Sequence, residues 1–101
     1  MMTINLENFH VVHNEKQQQF ELVAENRKSL LAYHRTPGVI IFDHTEVPPE
    51  LEGQGIAAKM TRAALDFART ERLRVVPACS YVAAFIRKNA EYQSLLAAGK
   101  G

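Results

Sequence analysis

Gly53 and Gly55 stand one residue apart, between the pair Pro48-Pro49 and an alanine-rich run that opens at Ile56. Glycine takes backbone angles closed to other residues and lets the main chain approach a ligand closely. The first turn of a helix beginning at Ile56 leaves N–H groups without intrahelical partners, at the positive end of the helix dipole. Such a turn suits a diphosphate, although a plain helix start accounts for the same residues without a ligand. Just upstream, Glu46 closes an apolar strand. It is placed to act as a base, directly or through water, or to be hydrogen-bonded to the turn. His44 precedes it by two residues and either relays a proton near neutral pH or packs without a chemical role. Downstream, Cys79 stands before a second helix start, where the dipole favours the thiolate; a buried, inert thiol is the alternative. His10 and His13 lack an acidic or thiol partner at ligand spacing, so no metal site is expected.

These residues need a scaffold, and the hydrophobic pattern supplies one. Residues Phe9 to Val12 and Phe20 to Ala24 read as strands joined by the short polar stretch 13–19, which predicts a hairpin. Ser29 to His34 and Val39 to Glu46 give a third and fourth strand around Thr36-Pro37-Gly38, and the brief connections predict antiparallel order. Strict alternation on the fourth strand puts Ile40, Phe42, His44 and Glu46 on one face. Apolar on both faces at its start, that strand should be central.

A helix is expected from Ile56 to about Arg72, with Ile56, Met60, Ala63 and Phe67 inward and Lys59, Arg62, Asp66 and Arg69 on a charged stripe. Leu73 to Ala78 then returns as a fifth strand parallel to the fourth. Pro77 has no N–H for a ladder, which predicts a gap beside the fourth strand where a ligand could enter. Ser80 reads as the N-cap of a second helix, Tyr81 to Asn89, with Val82, Phe85 and Ile86 inward. The end from Ala97 to Gly101 is expected to be loose.

The totals set limits. The 101 residues suffice for a single domain, with a core over about 9–95, and leave no room for a separate substrate domain. One cysteine cannot form an intramolecular disulfide. No signal-like start or membrane-length apolar run is present, so a cytoplasmic address and no membrane contact are expected. Net charge is +1, but residues 1–58 sum to −4 and residues 59–101 to +5. The basic half follows the Gly-rich turn, which favours a small polyanion there, or is a set of solvated helix faces. No dense basic run with interleaved aromatics argues for nucleic acid.

Taken together, the antiparallel start, the Gly-rich turn into a long helix and the parallel return strand resemble the GNAT acyl-CoA-dependent N-acetyltransferases. Their phosphate signature, Arg or Gln, two residues, Gly, one residue, then Gly or Ala, is met at Gly55 and Ala57; Glu52 stands where Arg or Gln is usual. The run from His44 to Ala57, with Val75 to Val82 and Glu91-Tyr92, is similar to the short YjdJ-type GNAT-like family of N-acetyltransferase domain-containing proteins, for which Glu52 is normal.

That resemblance implies an α+β protein (α/β by some schemes) with a minimal GNAT fold: a mixed, mostly antiparallel sheet with helices packed on it and no acceptor-side helices. It also implies acetyl-CoA or coenzyme A as cofactor, held by Glu46, Val47, Gly53, Gln54, Gly55, Ile56, Ala57, Ala58 and Ser80. The pantetheine arm would lie between the fourth and fifth strands, with a main-chain N–H near Glu46 or Val47 polarising the thioester. Arg87 and Lys88 either reach the phosphates or form a solvated face. Catalysis falls to Cys79, Glu46 and His44, with Cys79 near the CoA sulfur as acyl carrier or acid. Arg87 occupies the place of the family's usual protonating tyrosine, which leaves Cys79, Tyr81 or water as acid. An amine of unknown identity would be the acceptor, and a CoA-binding module with little turnover is the alternative. A monomer or weak homodimer is expected.

Overall fold

The structure, a computed structural model, describes residues 5–97. A five-stranded sheet runs in chain order through β1 (Val12–Asn14), β2 (Gln19–Ala24), β3 (Arg27–Thr36), β4 (Val39–Glu46) and β5 (Arg74–Pro77). The first four strands pair antiparallel and β5 pairs parallel to β4, as the short connections and the helical crossover require. Two helices, α1 (Ile56–Thr70) and α2 (Ser80–Lys88), share one hydrophobic core with one sheet face. Phe20, Leu22, Leu31, Tyr33, Ile40 and Phe42 meet Met60, Leu65, Val82 and Ile86 there. On the other face Leu30, Ala32 and Ile41 are only half-buried and Val23 is exposed. Two layers therefore enclose a single core.

Four expectations need correction. The first strand begins later than the apolar run suggested: Phe9 and Val11 pack against the core from outside the sheet, and only Val12 to Asn14 pair with β2. On β4, strict alternation fails. Tyr33 pairs with Phe42 but Ala32 pairs with His44, so Asp43 is an extra residue in β4. Such a bulge reverses the sides of everything after it. Thr45, opposite buried Leu31, joins Phe42 on the core face, and His44 and Glu46 turn to the opposite face, where both are exposed.

In α1 the buried stripe is Ile56, Met60, Thr61, Ala64, Leu65 and Ala68; Leu65 and Ala68 also extend the apolar surface in the sequence pattern, but Thr61 and Ala64 replace Ala63 and Phe67, which sit half-buried at its margin. The helix ends at Thr70 because Arg72 adopts φ +58°, with Leu73 N–H donating to Ala68 O (2.8 Å) and Arg72 N–H to Arg69 O (3.1 Å). This is a Schellman closure with buried Leu73 as its apolar contact. Finally, the N-cap of α2 is Cys79 rather than Ser80, and it makes no side-chain cap bond.

A 3-10 helix over Ala90–Leu95 follows α2, and its Tyr92 donates to Asp66 Oδ1 (2.9 Å) on α1. Ala97 N–H donates to Val75 O (2.8 Å), which fixes the first residue of the end expected to be loose; the rest of that end lies outside the described residues.

Candidate functional site

The connection from β4 to α1 is held by one buried side chain. Pro48 and Pro49 cannot extend the ladder, a 3-10 turn forms over Pro49–Leu51, and Leu51 is fully buried. Beyond that anchor the chain turns back through Gly53 (φ +82°) and Gly55 (φ +85°), backbone angles that glycine alone adopts at little cost. Gly55 is the N-cap of α1 and has no side chain with which to cap it. The first bond of the helix runs from Lys59 N–H to Gly55 O (3.0 Å). The amides of Ile56, Ala57 and Ala58 have no hydrogen-bond partner among the described residues. They border a pocket of about 420 Å³ whose lining includes Gly53, Gly55, Thr45, Val47 and Tyr81. Unpartnered amides at a helix start, beside a cavity and with no side chain in the way, fit the diphosphate of coenzyme A.

The same pocket reaches the place where the sheet opens. Pairing between β4 and β5 ends at Phe42 and Pro77. One further main-chain bond, Cys79 N–H to Phe42 O (2.8 Å), closes the junction. Beyond it, Thr45 Oγ1 and Cys79 Sγ lie 3.2 Å apart, facing each other between the end of β4 and the start of α2. Cys79 is buried at 8% exposure. Tyr81, one helical step further, lines the pocket, and burial pushes its phenol above the ordinary tyrosine range, so it stays protonated at neutral pH.

The sequence-derived candidates distribute unevenly over this geometry. Val47, Gly53, Gly55, Ile56, Ala57 and Ala58 all line the pocket. Gln54 is half-buried within the same turn without lining it. Glu46 and His44 are exposed on the sheet face opposite the helices, across the strand from Thr45 and the cysteine. Ser80 is the first residue of α2 and exposed. Arg87 lines a different cleft with Pro77, Ile86 and Leu96, and Lys88 is exposed in the last turn of α2. Among the described residues no cluster of His, Cys, Asp or Glu could hold a metal ion.

Thr45 is the residue that sequence reasoning missed. Period-two alternation assigns it to the outer face, and nothing short of locating the bulge at Asp43 reveals that it meets Cys79.

A mixed sheet whose parallel pair stops short, with a helix start presented at the opening, is the arrangement of the GNAT fold. The family model described as GCN5-related N-acetyl-transferase matches residues 19–95, and the chain belongs to that family. It is similar to Protein NATD1 of Bos taurus, with 34% identity over 82 residues that cover 78% of this chain and 73% of the relative. Protein NATD1 of Danio rerio is 33% identical over 88 residues, covering 84% and 80%. A solution NMR structure of a GCN5-like protein from Staphylococcus aureus superposes with a TM-score of 0.71 at 26% identity, covering 88% of each chain. No helix among the described residues is long and apolar enough to cross a membrane.

Proposed function

We propose that this chain is an acetyl-CoA-dependent N-acetyltransferase that acts on an amine. One observation carries the reading: the unpartnered amides of Ile56, Ala57 and Ala58 border a pocket that also reaches Thr45 and Tyr81 at the opening of the sheet. The amides would hold the diphosphate, and the opening between β4 and β5, which the same pocket reaches, would receive the thiol arm. Bound acetyl-CoA supplies the activated acyl group; the rest is done by side chains.

The amine must lose a proton and the departing sulfur must gain one. Glu46 suits the first task, directly or through water, because it lies exposed on the face that no helix buries, beside His44. Tyr81, protonated and lining the pocket, suits the second, and so does Cys79, buried against Thr45 of the pocket wall. Cys79 also suits acyl carriage: its thiol would take the acyl group, giving its proton to the departing CoA sulfur, and on transfer to the amine the C–S bond would break with the amine's proton returning to the cysteine sulfur. A main-chain N–H near Val47, at the pocket wall, suits polarisation of the carbonyl. The second reading, a CoA-binding module with little turnover, draws on Arg87, which stands where the usual protonating tyrosine would be and lines a separate cleft.

Thermal denaturation with and without acetyl-CoA tests binding, because a ligand that prefers the native state must raise the melting temperature. Turnover with an amine panel, together with intact mass of wild type and Cys79→Ala after incubation with acetyl-CoA, separates enzyme from module. A shift without turnover on any amine leaves the module; no shift removes both readings.

A further inference from the structure

A second cleft, of about 570 Å³, runs along α1 beyond the Gly-rich turn, between the helix and the segment before β1. Its apolar wall is Leu6, Val11 and Ala63, and its cations are Lys59 and Arg62. The two clefts adjoin. Gly55 and Ala58 border the first, Lys59 and Arg62 border the second, and these four positions follow one another at helical spacing along a single stripe. Leu6 lies at the join: a Cβ built on Gly55 would meet its Cδ1 at 3.3 Å.

The charges in the second cleft are not equivalent. Asp66 accepts from Tyr92 Oη at 2.9 Å and lies 3.9 Å from Arg69. Arg62 lies 3.5 Å from Glu91 and 5.2 Å above the Phe85 ring. Each of these already has a partner. Lys59 is half-buried, and its ammonium makes no ion pair or hydrogen bond among the described residues. A partly desolvated cation without a counter-charge, one helical step past three free amides, is a site for a second anion.

Resting on the reading of the first pocket as the CoA diphosphate site, we propose that this cleft takes the 3′-phosphorylated adenosine of the cofactor, with Lys59 as the ligand of the 3′-phosphate. The chemistry agrees on each part. In coenzyme A the 3′-phosphate is separated from the diphosphate by one ribose, a span a lysine side chain covers from the next turn. A phosphate monoester carries close to two negative charges at neutral pH, and the adenine has apolar side chains on which to lie. Glu7, exposed at the rim, opposes the phosphate and sets an upper limit on the gain. The consequence is a cofactor filter: the protein distinguishes coenzyme A from its dephospho form.

The test is calorimetric titration of the full chain with coenzyme A and with dephospho-coenzyme A, for wild type, Lys59→Gln and Glu7→Gln. Wild type is expected to bind coenzyme A about tenfold more tightly, the range of one charge-assisted contact. In Lys59→Gln that ratio should fall towards one, in Glu7→Gln it should rise, and added salt should narrow it in wild type. Equal affinity of wild type for the two ligands overturns the proposal while leaving the diphosphate site intact. A Lys59→Gln ratio equal to that of a folded wild type overturns it as well. If neither ligand binds, the first pocket is not a CoA site and both readings fall.

Discussion

Replacing Gly55 by alanine tests the turn on which the binding site depends. Gly55 holds φ +85°, and a methyl there would stand 3.3 Å from Leu6 Cδ1. Left-handed backbone costs an L-residue about 1–2 kcal/mol. The end of the Leu6 side chain can yield by a few tenths of an ångström, so the contact adds a few tenths of a kcal/mol at most (roughly, by the cost of mild overpacking). Alanine also restricts the unfolded chain, which returns about 0.4–1 kcal/mol. The net loss is about 1 kcal/mol, and for a domain of this size that lowers the melting temperature by about 4–8 °C.

Gly53→Ala is the internal control. Its φ is nearly the same, +82°, but nothing lies within 4 Å of the added methyl. It should therefore cost the backbone strain alone, and the gap between the two variants reads the Leu6 contact. Scanning fluorimetry and urea melts on both proteins make the comparison. Melting temperatures unchanged in both variants would refute the reasoning: the turn would not need its left-handed residues, and the open amides they present would lose their structural basis.

Three other outcomes follow from the same coordinates. Thr45→Val should change the alkylation rate of Cys79 by about 3–10-fold, since it removes the hydroxyl 3.2 Å from the sulfur, a contact in which either atom can donate; Thr45→Ser should retain the wild-type rate, and the chain's one cysteine makes the readout specific. Burial holds His13 below its ordinary value of 6.5, so stability present above that pH should decline as pH falls through 6.5 towards the folded value, with an NMR ring titration placing the midpoint below 6.5. The Gln19 hydrogen bond and those of its neighbours hold Glu21 below its ordinary value of 4.5, so its contribution, present above 4.5, should be lost only as the pH falls further, and urea melts of Glu21→Gln should lack that second decline.

How far the sequence revealed this site depends on which physical rule governed each residue. Backbone chemistry is local. Two prolines end β4, two glycines turn the chain, and alanines begin α1, so the turn and the helix start could be read from residue types, while their set as a binding site came from the resemblance. Strand order could be read because the connections are short and the crossover is helical. What stayed hidden is non-local. The bulge at Asp43 exists only in the register between β3 and β4, and no residue type marks it. Yet it decides which side chains meet: were Asp43 paired in an unbroken ladder, Thr45 would face away from the helices, and His44 with Glu46 would face the core.

The same displacement makes two sides of one strand available at one end. Thr45 lines the cavity and touches the buried thiol, while Glu46 looks out from the face that no helix buries. In the proposed transfer, the amine would reach the acyl carbonyl from a side that the cofactor leaves open. A strand that presents a cavity residue and an exposed carboxylate at consecutive positions, beside an edge where pairing has stopped, provides both approaches within one turn of chain. Deleting Asp43 should remove only the unpaired residue: His44 would then follow Phe42 directly, opposite Ala32, and Thr45 would stay opposite Leu31 on the side of Cys79. The deletion protein, if folded by circular dichroism, should keep the Thr45-dependent reactivity of the thiol; its loss would refute the register in which Asp43 is the extra residue.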